Sequence, residues 1–402
     1  MSENSLIKRA AYQEFLKRHR GKPIIKVITG LRRAGKSMIF ELFKKDLKAS
    51  GVKQSNIISL NFEDLKYYEL RDYKKLHKYL EAQIKSNKKH YILLDEIQHV
   101  DKFELVVDSL FIKDNVDLYI TGSNAYYMSG ELATNLTGRY VEKEVQPLSF
   151  AEYYSWSSEK DIEKAFNEYW FSAFPYLIHT ESYVEKIEYL QGVYNSILIN
   201  DVIARAGKAD KEIIERVMRT VLSSIGSITS INKMRNTLAS QNVKLANNTT
   251  LERYVSALCD GLLLYSVPRF DVKGRELLQR LEKYYASDLG FRNLLLPDHQ
   301  EDTGHLIENI VYLELRRRYP KVYIGNIDKY EVDFVVVTDK GSYEYYQVSE
   351  SVLDPKTRDR ELKPLRKITD NFPKYLLVMD KLFLDDNYEG IQKKNILDWL
   401  IE

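Results

Sequence analysis

The chain has 402 residues, enough for two or three domains that each bury a core, and its 44% hydrophobic and 29% charged residues suit a globular protein in water. A formal net charge of +2 excludes nucleic-acid binding through bulk positive charge and leaves only local patches to supply it. The one cysteine, Cys259, rules out an internal disulfide framework and fits a cytoplasmic address, while no apolar run or leader pattern predicts a membrane span or export.

In chain order, Leu6, Ile7, Ala10, Ala11, Phe15 and Leu16 recur at helical spacing. Residues 24–28 read as a buried strand. Gly30, Leu31, Arg32, Arg33, Ala34, Gly35, Lys36 and Ser37 then fit G-x-x-x-x-G-K-[ST], and Met38 leads into a helical pattern of Ile39, Leu42, Phe43 and Leu47. A strand, a glycine-bearing loop and a helix are what a phosphate cradle requires. The glycines let successive N–H groups point inward, and the helix N-terminus adds partial positive charge. Lys36 is expected on the β- and γ-phosphates of ATP, with the Ser37 hydroxyl on Mg²⁺.

Residues 56–62 form the next predicted strand and end in Asn61-Phe62-Glu63-Asp64, followed by a lysine-rich amphipathic helix. Residues 91–98 place four apolar residues before Asp95 and Glu96. A buried strand would deliver Asp95 to Mg²⁺, directly or through water, and Glu96 to the attacking water as its base. The other use of two acids after a strand is to cap a helix. Residues 116–120 predict a fourth strand, after which Ser123 or Asn124 either senses the γ-phosphate or caps a helix. Arg139 precedes a fifth strand at residues 141–145.

This order predicts an α/β fold with a parallel sheet. The motifs G-L-R-R-x-G-K-S, L-L-D-E-I-Q and T-G-S-N, with L-S-F-x-E-Y at residues 148–153, resemble the AAA+ superfamily. More narrowly, they resemble a broad group of prokaryotic ATPases with a nuclease-like C-terminal domain. The likeness extends over nearly the whole chain and is most specific from residue 27 to residue 154. It implies a central phosphate-loop strand with the Asp95 strand two positions away. It also implies that Arg139 either reaches a neighbouring subunit's γ-phosphate or pairs with a local carboxylate.

Three domains are expected: an AAA+ nucleotide-binding domain at 1–146, a helical lid with a winged helix at 147–290, and a nuclease-like domain at 291–402. In the middle region, helices are predicted from Ile213, from Ser230 and from a Thr249–Glu252 capping box. A hairpin then offers Arg269, Lys273, Arg275 and Arg280 to DNA phosphates, the other reading of this segment being a packing or protein-docking module. The last region resembles the PD-(D/E)xK core, which implies a metal held by Asp333, Gln347 and Glu308. Its lysine position is occupied by Ser349, with Lys363 or Lys367 as substitutes, so cleavage is expected to be weak. A closing helix is expected at 391–401.

The function expected is Mg²⁺-dependent ATP hydrolysis driving a switch coupled to a DNA or protein partner, with a homo-oligomer left open. An ATP-gated nuclease and a non-hydrolysing ATP-bound scaffold are the alternatives.

Overall fold

The computed structural model describes residues 7–85, 88–122, 138–206, 210–243, 247–297, 303–382 and 387–402. These fall into two compact units, one of residues 1–147 with 260–262 and one of residues 148–259 with 263–402.

In the first unit, α1 (Ala10–His19) precedes β1 (Ile25–Gly30) and α2 (Lys36–Ala49). Then come β2 (Ile57–Asn61), α3 (Tyr73–Gln83), β3 (His90–Asp95), α4 (Phe103–Phe111), β4 (Val116–Thr121) and β5 (Tyr140–Val145). The strands form one parallel sheet in the order β2-β3-β4-β1-β5. β1 therefore lies two positions from β3 as expected, but fourth of the five strands, with β4 rather than β1 at the centre. β1 and β3 are both buried at every residue, as strands covered on two faces must be. α2 buries Ile39, Phe40, Phe43 and Leu47, each worth about 1.5–3 kcal/mol when fully removed from water. α3 starts where the Asp72 carboxylate accepts the Lys75 N–H.

The second unit begins with α5 (Phe150–Trp156), set by a capping box of Ser149 and Glu152. α6 (Ile162–Phe171) and α7 (Tyr183–Ile197) follow. A π-type turn at Leu198–Ile203 then shifts the helical phase and buries Asp201. The predicted trio of helices is α8 (Lys211–Leu222), α9 (Ile231–Ser240) and α10 (Asn248–Asp260). The third starts earlier than expected, because Asn247 Oδ1 accepts the Thr250 N–H and takes the capping role assigned to Thr249.

The hairpin of β6 (Leu264–Asp271) and β7 (Glu276–Ala286) is present, but it is not a separate wing. Arg269, Phe270 and Asp271 pair in parallel with Ile324, Gly325 and Asn326 of β8 (Lys321–Ile327). α11 (Leu289–Leu295) and α12 (Thr303–Arg318) lie between the hairpin and β8 in sequence. The sheet continues through β9 (Tyr330–Val337), β10 (Tyr343–Ser349), β11 (Lys374–Val378), β12 (Asn387–Tyr388) and β13 (Ile391–Asn395). Its order is β12-β13-β11-β10-β9-β8-β6-β7. The boundary expected at 290/291 thus falls inside one unit, because backbone pairing carries the hairpin into the C-terminal sheet.

α13 (Pro355–Arg366) covers this sheet with Leu362 and Leu365, packed among Val332, Val335, Tyr345, Leu376 and Ile391. The closing helix is shorter than expected. Residues 391–395 alternate in burial and pair with β11, so α14 (Ile396–Ile401) starts only after Asn395, whose side chain caps it. Among the described residues no helix is long and apolar enough to cross a membrane.

Candidate functional site

The loop after β1 has the backbone that a phosphate cradle needs. Gly30 has φ 137, and a Cβ there would lie 2.2 Å from the Val145 carbonyl oxygen, so no other residue fits. Arg33 (φ 65) and Gly35 (φ 99) turn the chain through the left-handed region. Gly35 is the N-cap of α2 and gives it no side-chain bond, which leaves the helix end to an anion. Arg9, a buried residue that its place in the sequence did not single out, braces the loop from behind. Its guanidinium donates to the Ala34 carbonyl and to the Gln146 carbonyl, each at 2.9 Å.

Four of the expected site residues converge on this loop. Lys36 is buried; its Nζ arches back to the Gly30 and Leu31 carbonyls at 3.1 and 3.2 Å and lies 3.6 Å from Glu96 Oε1. The Ser37 hydroxyl hydrogen-bonds Asp95. A hydroxyl and a carboxylate side by side are hard oxygen donors suited to Mg²⁺. Burial raises Asp95 above the usual carboxylate range, against hydrogen bonds from Thr121 and Ser37 that work to lower it.

Glu96 has left-handed backbone geometry (φ 54, ψ 48), unusual for a side chain of its size. It precedes a short 3₁₀ turn but makes no side-chain capping bond. Its carboxylate instead meets Lys36 and accepts from Gln98 Nε2. Burial works to raise the pKa of Glu96, and the charges of Lys36, Arg32 and His99 with the Gln98 bond outweigh it, so Glu96 is held below its ordinary value. Glu63 and His99 stand beside it, with ligand atoms all within 4.8 Å of one another.

Two residues that sequence reasoning left without a role orient the acids. The β2–β3 register sets Asn61 opposite Asp95, and Asn61 Nδ2 donates to Asp95 Oδ2 at 3.0 Å. Thr121, at the end of β4, donates to Asp95 Oδ1 while its oxygen accepts the Glu96 N–H at 2.9 Å. The signal for both was in the sequence, as polar residues closing apolar strands. Ser123 and Asn124, expected near this position, lie outside the described residues.

Arg139 is elsewhere. It precedes β5, whose Tyr140 pairs with Ile25, so it sits at the start of the strands, whereas the loop follows their ends. Five residues of strand make that separation roughly 16 Å. Its guanidinium pairs with Asp108 and lies over the Phe111 ring. Arg139 therefore takes no part in its own loop's site, and its partner in this structure is a local carboxylate.

The acids expected in the C-terminal region also come together, around a lysine that was not expected. Asp333 on β9, Gln347 on β10 and Glu308 on α12 are all buried. Lys283 of β7 reaches Glu308 at 2.8 Å and Glu331 at 2.6 Å, and the Tyr285 hydroxyl donates to the same Glu308 oxygen. Burial would lower Lys283, but Glu308, Asp333 and Glu331 hold it above the usual lysine range. Ser349 turns its hydroxyl to the Ser351 carbonyl. Neither suggested substitute takes its place: Lys363 lies over the Tyr330 ring, and Lys367 is exposed at the end of α13.

Three of the four cations proposed for DNA phosphates on the hairpin have protein partners, and the side chain of the fourth, Arg280, lies outside what the structure describes. Lys273 pairs with Asp328, Arg275 with Asp370, and Arg269 donates to the Asn326 amide oxygen.

Comparison with known proteins places these features. The AAA domain family matches residues 22–154, and a domain of unknown function (DUF8612) matches residues 163–302. The chain is 32% identical over 404 residues to an uncharacterized protein of Haemophilus influenzae, covering 99% of each. It is 29% identical over 362 residues to the uncharacterized protein MJ1544 of Methanocaldococcus jannaschii, covering 85% of this chain and 78% of that one. Among solved structures, a Walker-type ATPase of Pyrococcus abyssi aligns with a TM-score of 0.49 at 14% identity, over 72% of this chain and 95% of that one.

Proposed function

The chain belongs to the same family as the full-length Haemophilus influenzae protein and carries an AAA domain, and from that premise we propose that it binds ATP with Mg²⁺ and hydrolyses it to drive a conformational switch. The observation that carries this reading is the meeting of Lys36, Ser37, Asp95 and Glu96 at the uncapped N-terminus of α2. The loop N–H groups and Lys36 hold the phosphates. Ser37 and Asp95 are the residues that would hold Mg²⁺, which when bound neutralises charge on the β- and γ-phosphates. Asn61 and Thr121 fix the Asp95 carboxylate, and Glu96 takes the proton of the attacking water.

Titration calorimetry with ATP and Mg²⁺ tests the binding half. The intact chain should bind, and Lys36→Ala should lose most of the affinity. Equal binding by both proteins would remove the loop from the proposal.

In this reading the switch acts on a protein partner in the cytoplasm. Lys273 and Arg275 of the hairpin sit against carboxylates, which offsets their charge toward phosphates, and Arg269 is engaged by an amide. ATPase turnover should accordingly be unchanged by double-stranded DNA across a salt series. Stimulation that fades as salt rises would move the partner to DNA.

A further inference from the structure

The resemblance of the C-terminal residues to a PD-(D/E)xK site calls for a divalent cation among Glu308, Asp333 and Gln347, and the residues present do not fit one. Glu308 Oε1 already accepts from both Lys283 and Tyr285. Asp333 Oδ2 accepts the Val348 N–H at 2.8 Å. The Gln347 amide is held at both ends, with Oε1 accepting the Asp333 N–H at 3.4 Å and Nε2 donating to Glu361 at 2.9 Å. Among the described residues, the only trio of His, Cys or acid ligand atoms gathered closely enough for an ion is Glu63, Glu96 and His99, in the other unit.

We infer that the Lys283 ammonium is the resident cation of this cluster, standing where a divalent metal would otherwise stand and making the site a metal-independent clamp. The lysine comes from β7, outside the strands that carry the expected motif, and only the tertiary fold brings it in. It is buried, and it bridges a helix carboxylate to a strand carboxylate, Glu308 of α12 to Glu331 of β9. The motif sets its lysine beside the metal, whereas the Lys283 ammonium bonds directly to Glu308 Oε1, an oxygen the metal would need. The clamp joins three segments far apart in sequence, at residues 283, 308 and 331. It ties the hairpin, which lies in the region matched by the domain of unknown function, to the C-terminal sheet. This inference is independent of the ATP reading, since all of its residues lie in the second unit.

Mn²⁺ counting on the nucleotide-free full-length protein tests it, with free Mn²⁺ read by electron paramagnetic resonance. The intact chain and Asp333→Asn should bind the same number of ions. Lys283→Met, which keeps an unbranched side chain one atom shorter and removes its charge, should gain one Mn²⁺ that the added change Glu308→Gln abolishes. Loss of one bound Mn²⁺ in Asp333→Asn with Lys283 in place would overturn the inference. So would a folded Lys283→Met protein that gains none. If Lys283→Met does not fold, the comparison of the intact chain with Asp333→Asn decides alone.

Discussion

Glu96→Gln should leave ATP bound and lower its turnover by about 10²–10⁴-fold, the usual contribution of a positioned general base. Gln is nearly isosteric and can still accept from Gln98, so the geometry of the loop should survive. What is lost is the negative charge, and with it the ability to take a proton from water. The carboxylate is suited to that task because Lys36, Arg32 and His99 keep it ionised despite its burial. The 3.6 Å approach of Lys36 to Glu96 is the other consequence of charge. Its removal frees Lys36 for phosphate, so binding should be equal or tighter in the variant. A kcat within about threefold of the intact chain would mean that Glu96 is not the base. Calorimetric affinity and steady-state turnover, measured on one preparation, separate the two effects.

Lys26→Met should destabilise the first unit by roughly 3–5 kcal/mol, the cost of leaving a buried charge without its counterion. Lys26 on β1 and Asp117 on β4 form a fully buried pair at 2.5 Å, at the end of the sheet away from the loop. Burial lowers Lys26 below the usual lysine range, against the Asp117 charge that works to keep it protonated. Asp117 has two more donors, the Gly21 N–H at 2.7 Å and the Tyr119 hydroxyl at 2.9 Å. They hold its carboxylate in place when the lysine is removed. Adding Asp117→Asn should therefore recover part of the loss, because the amide oxygen keeps those two bonds without a charge. Urea unfolding of the two variants and the intact chain gives the coupling directly. A single variant within about 0.5 kcal/mol of the intact chain would show that water reaches the pair.

The legible part of the site was local in sequence. Gly30 to Ser37 declare the loop because the glycine conformations and the strand and helix on either side all lie within about twenty-five residues. The same holds for Asp95 and Glu96 at the end of an apolar run. The parts that were missed depend on register and pairing. Asn61 matters because β2 sets it opposite Asp95, and Thr121 because β4 ends beside the same carboxylate. Arg9 reaches the loop from a different helix boundary. Residues 391–395 misled for a related reason: Ile391 is their only apolar residue, so they carry no period of their own, and pairing with β11 chose the strand.

By itself the sequence determined a phosphate-binding loop, the two acids that follow a buried strand, and a parallel α/β order for the first unit. Those follow from backbone sterics and from apolar periodicity, which act over short stretches of chain. Only the tertiary structure decided that the hairpin joins the C-terminal sheet, that Arg139 rests on Asp108 at the far end of the strands, and that Lys283 fills the cluster where a metal was expected. Each of these is a meeting of charges or backbone edges from distant segments, and no local pattern of residues encodes such a meeting.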